Sequence, residues 1–320
     1  MARSAAHTSK RAESRLASRV PNSRAVALRA NSLFGMMQRF RRLVWAHYRT
    51  HGRHNLPWRK DYDPYRVLVS EVMLQQTQVE RVIPFYRNFL KKFPTVRALA
   101  RASLSDVLRN WQGLGYNRRA KMLHQAAKES VMNYGGKFPT NAAELEQFPG
   151  IGPYTARAVA AFAFNQDVVV IETNIRTAVI HHFFPKRGEG RVGRTATTRF
   201  SPNRKNISDT EIEKILKQVL SKGKAREWYS ALMDYGAHLK RSGISHNARS
   251  KTYTKQSKFS GSLREARGII LRELAKGTAT QTHLSDLFGA VRRLQLRSAL
   301  VKLASEGLIQ KRGKVFTLPR

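Results

Sequence analysis

The chain has 320 residues, 41% of them hydrophobic, which is enough to bury a substantial core; 59 Lys and Arg stand against 21 Asp and Glu, for a formal net charge of +38. That excess points to a polyanionic partner, nucleic acid first among them. The absence of cysteine excludes disulfides, thiolate zinc sites and cysteine-bound iron–sulfur clusters. No apolar run approaches the roughly 18 residues of a membrane span, and no signal-peptide core follows the basic start, so an intracellular, DNA-associated protein is expected.

Residues 1–30 are rich in Ala, Ser and Arg with Glu13 as their one acid. They read as a disordered basic tail, either a solvated DNA-seeking arm or a targeting segment of similar composition. From 31 to 240 the periodicity is helical: Leu68, Glu71, Val72, Gln75 and Val79 fall at three- and four-residue spacings, as do Val107, Trp111 and Leu114. An all-α core is expected. Ser103 or Ser105 should open a helix that Gly113 and Gly115 close, and Thr140 or Asn141 should open the next. Within this core, 186–206 is a Gly/Arg/Thr-rich basic loop insertion with Glu189 as its only acid, and 241–262 is a basic linker. Both read equally as phosphate contacts or as solvated chain. In 263–320, helical patterns precede Leu308-Ile309, a basic Arg312-Gly313 turn and Val315-Phe316-Thr317-Leu318, the layout of a small winged-helix-like domain. Such a module serves duplex DNA or protein partners.

Gly150-Ile151-Gly152-Pro153 lets the backbone turn without obstruction and aims amide donors outward at a helix start, where a phosphate fits; an ordinary interhelical turn has the same pattern. Ala156, Ala158, Ala160, Ala161 and Ala163 allow the following helix to pack closely. Glu172 precedes Thr173 and Asn174, good N-cap residues, so its carboxylate sits at a helix mouth whose dipole favours the charged form, as it does for many first-turn acids. Glu71 lies amid Val67, Leu68, Val69, Val72, Met73 and Leu74, a setting that favours its protonated form unless an Arg pairs with it in the core. A protonated acid beside a charged one suits N-glycosidic cleavage, in which the departing base takes a proton while the sugar develops positive charge.

Six ordered blocks carry a resemblance: Leu56-Pro57-Trp58-Arg59, Pro64-Tyr65, the run from Ser70 to Val79, Trp111 to Tyr116, Gly135 to Pro139, and Pro149 to Thr155. Together they resemble the A/G-mismatch adenine DNA glycosylases of the helix-hairpin-helix superfamily, which are endonuclease III-like, strongly over 40–185 and weakly over 207–240. The resemblance implies a helix-hairpin-helix glycosylase fold and a monofunctional DNA glycosylase of base excision repair. Its reaction would be hydrolysis of the N-glycosidic bond of adenine mispaired with guanine or 8-oxoguanine. It implies that Glu71 protonates the leaving base, that Glu172 stabilises or captures the sugar cation, and that Tyr154 and Asn174 position these groups and the lytic water. Trp58, Arg59 and Ser230 would form the base pocket. Gln75, Gln76, Thr77 and Tyr116 would enter the stack, with Gly150, Gly152 and Thr155 completing the DNA contacts by base flipping. Double-stranded DNA carrying a mismatched or damaged base is the implied partner, bound by a monomer without metal or other cofactor.

Four departures bear on that implication. The family's acid at 172 is Asp, and Glu displaces the carboxylate by roughly an ångström. Ser230 stands where many adenine-specific members carry Glu, which opens thymine or uracil opposite guanine as an alternative. The four-cysteine cluster after that helix is missing, and a winged-helix-like tail replaces the domain that reads 8-oxoguanine. Bifunctional relatives place Lys where Tyr154 stands, and a phenol cannot form their Schiff base. A DNA-binding repair protein weakened in catalysis by Glu172 is the third reading.

Overall fold

Short polar side chains set the helix boundaries. In the computed structural model, which describes residues 23–184, 205–254 and 256–320, Asp63, Thr95, Ser103 and Asn141 each accept a first-turn amide and open a helix. The order is α1 Ser23–His51, a 3-10 turn Pro57–Arg59, α2 Pro64–Leu74, α3 Val79–Lys92, α4 Val96–Arg101, α5 Leu104–Asn110, α6 Arg118–Asn133 and α7 Ala142–Leu145. Then follow α8 Pro153–Phe162, α9 Thr173–Phe183, α10 Asp209–Val219 and α11 Ala225–Arg241. The C-terminal module contains α12 Leu263–Lys276, β1 Ala279–Thr280, α13 Gln281–Phe288, α14 Arg293–Ser305, β2 Gln310–Arg312 and β3 Val315–Thr317. No helix among the described residues is long and apolar enough to cross a membrane.

Several expectations are revised. The periodic run from Leu68 to Val79 is two helices, because α2 ends at Leu74 and Gln76 takes the left-handed φ of 56° that no helix contains. Trp111 and Leu114 likewise lie beyond the end of α5. Residues 23–30 of the expected tail are the first turns of α1, for which their Ala and Leu content is suited; residues 1–22 lie outside the described part, as does nearly all of the 186–206 insertion. The 241–262 segment is only partly a linker. His246, Arg249 and Ser250 are buried, Ile207 forms a parallel bridge with Ser250, and Thr177 donates to Asn247 Oδ1 at 3.2 Å.

Two apolar cores meet at α8. Ala156, Val159 and Ala160 face the first, with α2 to α7; Ala158 and Ala161 face the second, with α1, α9, α10 and α11. With four alanines in its ten residues, α8 can be approached closely from both sides. The C-terminal module shares the first core: Ala266, Ile270, Leu271, Leu300 and Phe316 belong to the same buried cluster as Val72 and Leu123. Its sheet is antiparallel in the order β1-β3-β2, with Lys311 opposite Phe316, and the third strand, β1, has no signal in the sequence. Three helices with this sheet form the winged-helix layout.

Where α9 crosses α11, the Asn174 carbonyl lies against Gly236, and a Cβ there would meet its oxygen at 2.0 Å. Gly236→Ala is expected to cost about 1–3 kcal/mol of stability through overpacking against rigid backbone. Gly268→Ala in α12, where a Cβ meets nothing within 4 Å, is expected to gain about 0.5–1 kcal/mol through helix propensity. Urea denaturation of both variants checks the contrast.

Candidate active site

Glu71 lies in α2 with 6% of its surface exposed. Tyr154, in the first turn of α8, donates its hydroxyl to Glu71 Oε2 at 2.9 Å. This contact brings together residues 83 apart in the chain, and among the described residues no Arg forms the ion pair with Glu71 that the sequence allowed. Burial pushes the Glu71 carboxyl up to about 7; the Tyr154 hydrogen bond opposes the rise, Glu172 reinforces it and Arg59 opposes it. Burial, with the charges of Glu71 and Glu172, holds the Tyr154 phenol well above its ordinary value, so it remains a donor.

Glu172 is itself the N-cap of α9, rather than Thr173 or Asn174. Its Oε1 accepts the Asn174 and Ile175 amides at 2.7 and 2.8 Å, and Oε2 accepts the Thr173 hydroxyl at 3.1 Å. These three hydrogen bonds fold the side chain back over the helix mouth. The same helix start holds Asn174 beside it. Lys240, in the last turn of α11, is lowered by burial, a shift that the Glu172 carboxylate opposes.

Glu71 opens into a cavity of about 880 Å³ that Trp58, Arg59 and Ser230 also line. The Trp58 ring meets Tyr86 edge-on at 5.5 Å. Arg59 is committed to the wall: it donates to both oxygens of Asp234 at 2.7 and 3.0 Å and to the Ser230 carbonyl at 3.3 Å. Arg53 Nε adds a bond to Asp234 at 2.7 Å. Burial pushes the Asp234 carboxyl up, but Arg59 and Arg53 outweigh it and hold the group below its usual range. Asp234 was not singled out from the sequence, although it is the only acid between Glu227 and Glu265 and lies one helical turn from Ser230.

Beyond the cavity, two loops converge. Gln75 donates to Thr155 Oγ1 at 3.2 Å. Thr155, expected among the DNA contacts, is 3% exposed and its hydroxyl anchors Gln75 from beneath. Gln76 and Tyr116 adopt left-handed φ values of 56° and 48°. Arg119 supports both loops. Its Nη1 donates to the carbonyls of Val72 and Gln75 at 2.7 and 2.6 Å, and its Nη2 donates to the Gly115 carbonyl at 3.1 Å and Thr77 Oγ1 at 3.4 Å. Burial lowers this guanidinium to about 10, leaving it charged at neutral pH. In the sequence only its place after the Trp111–Tyr116 block hinted at such a role. The Gly150 and Gly152 backbone is exposed at the hairpin. Gly150 has φ 73° over Met122, and a Cβ at Gly152 would meet nothing within 4 Å, leaving room for an anion at the mouth of α8.

A cysteine-bound iron–sulfur cluster does not fit the segment after α11. The chain has no thiol to bind one, and the Ile207–Ser250 bridge and the Thr177–Asn247 bond fasten that segment instead.

Residues 69–224 match the family model described as HhH-GPD superfamily base excision DNA repair protein. The adenine DNA glycosylase of Mycolicibacterium smegmatis is 46% identical over 130 residues, 40% of this chain and 44% of the relative. That of Buchnera aphidicola subsp. Baizongia pistaciae is 40% identical over 141 residues, 44% of this chain and 40% of the relative. The aligned part thus spans less than half the length of these relatives. The fold is similar to that of a thermostable thymine-DNA glycosylase, with a TM-score of 0.52 and 23% identity over 63% of this chain and 87% of that one.

Because the folded-state pKa of Glu71 is raised from 4.5 to about 7, its protonated form contributes stability that is full below the unfolded value and lost as pH rises through the folded one. Glu71→Gln lacks this titration. Its stability relative to the parent is expected to rise between pH 4.5 and 8 by up to about 3 kcal/mol, from 1.36 kcal/mol per unit. A pH-independent difference in urea denaturation would show that Glu71 is not held protonated.

Proposed function

We propose, from the premise that residues 69–224 form an HhH-GPD base excision DNA repair domain, that the chain is a monofunctional DNA glycosylase. Its substrate is adenine mispaired with guanine or 8-oxoguanine in duplex DNA, and it acts as a monomer without metal or other cofactor. The observation that carries this reading is the Glu71–Tyr154 pair, a buried carboxyl with a pKa of about 7 that opens into a cavity large enough to admit a base.

In this reading the flipped adenine enters the cavity beside Trp58, and Glu71 delivers its proton to a ring nitrogen as the glycosidic bond breaks. The electron pair of that bond leaves with the base. Glu172, fixed across the mouth of α9, stabilises the positive sugar, and water directed by Glu172 and Asn174 adds to it, releasing a proton and leaving an abasic site. Tyr154 orients the Glu71 proton. Gly150 and Gly152 receive a backbone phosphate, while Gln75, Gln76, Thr77 and Tyr116 fill the space left in the stack. The net charge of +38 favours encounter with any duplex and gives the binding a steep dependence on salt.

Single-turnover base release on A:8-oxoG, A:G, T:G, U:G and A:T duplexes, with and without alkali, tests the proposal. Adenine release from the first two, with strand breaks only after alkali, is the expected result. Reaction of T:G or U:G alone would reassign the base, and binding without any release would reject the enzyme. Glu71→Gln should lower the rate by about 10²–10⁴-fold. The parent rate should fall as pH rises through about 7, where Glu71 loses its proton.

A further inference from the structure

The loops carrying Gln76 and Tyr116 do not stand alone. Gln256, in the arm that leads into α12, and Arg264, in the first turn of α12, lie across them and outside the 69–224 domain. Gln256 Nε2 donates to Gln76 Oε1 at 3.3 Å and also to the Tyr116 hydroxyl. Arg264 Nη1 donates to the same hydroxyl, its guanidinium carbon lies 5.3 Å from the centre of the Tyr116 ring, and Nη2 is tied to the Ser257 carbonyl at 2.6 Å. Two left-handed non-glycine residues, a backbone state that costs free energy, are thus bridged by an arm contributed from the C-terminal part of the chain.

The polarity of this cluster is one-sided. With its oxygen accepting from two donors, the Tyr116 hydroxyl has its own hydrogen left to give. Gln76 has its carbonyl oxygen engaged, which leaves its amide N–H groups for a ligand, and Arg264 has further donors among its five. Such a surface suits a base edge that offers acceptors. Guanine and its oxidised form present a carbonyl oxygen where cytosine and adenine present an exocyclic amine, and a guanidinium fork matches guanine O6 and N7.

We propose that Gln256 and Arg264, acting with Gln76 and Tyr116, read the base opposite the excised one and select a guanine-type partner. This rests on the glycosylase reading above and places partner selection in the C-terminal arm. The full chain carrying Glu71→Gln, which preserves the duplex, is titrated by fluorescence anisotropy with one DNA sequence holding adenine opposite guanine or opposite cytosine. The guanine duplex should bind about tenfold tighter. Adding Arg264→Ala and Gln256→Ala should bring the two affinities within about twofold. Arg264→Lys, which retains charge but not the planar fork, should lose the preference while still binding the cytosine duplex. An undiminished preference overturns the proposal, as does equal weakening of both duplexes, which marks a general grip, or equal tightening, which marks an arm that only covers the loops. If the parent protein releases no base from any duplex, the glycosylase reading fails separately, while the ratio of affinities still decides whether this arm reads a base.

Discussion

The rest of the site is organised around one buried carboxyl. An ionised Glu71 in the interior would carry a desolvation cost of several kcal/mol, so the fold holds it near the point where it keeps its proton and gives it one hydrogen-bond partner, Tyr154. That partner must come from α8, which therefore has to lie directly against α2. The alanines of α8 make the approach possible from both sides at once, and the exposed glycine hairpin at its start is carried to a defined distance from the acid. Packing, proton affinity and the anion-binding turn are thus consequences of one helix pair.

A second constraint is the set of backbone carbonyls left outside helices where α2 ends and in the loop before α6. Arg119 answers it by donating to carbonyls of both segments. This holds Gln76 and Tyr116 in left-handed conformations that neither loop would keep alone. Opposing carboxylates are not the only use to which the charge excess is put: Arg53 and Arg59 are spent on Asp234, and Arg119 on backbone oxygens. The positive charge available to a nucleic acid is therefore drawn from the remaining surface.

The C-terminal module is joined to this arrangement by a shared core rather than by a tether. Leu271 and Phe316 are buried in the same cluster as Leu123, while Lys121 reaches the Glu306 carbonyl and Arg109 Nε donates to the Ala275 carbonyl at 3.2 Å. The module cannot move freely without exposing apolar surface, which fixes the arm before it over the loops.

Local chemistry by itself determined a good deal. The helical period, the caps at Ser103 and Asn141, the glycine turn at 150–152 and the apolar setting of Glu71 depend on neighbours a few residues away, so they are legible in order along the chain. The break at Gln75–Gln76 was hidden, because apolar spacing continues through it and the Arg119 guanidinium that stabilises the break comes from another helix. Glu172 could be placed at a helix mouth but not as the cap, since rotamer choice depends on Asn174 and Ile175 amides already in position. Which partner Arg59 and Glu71 would take, and that the C-terminal arm would reach Tyr116, was decided only in the tertiary structure. Charge and hydrogen-bonding capacity are properties of a residue, whereas the group that satisfies them is a property of the packing that brings distant segments within 3 Å or so.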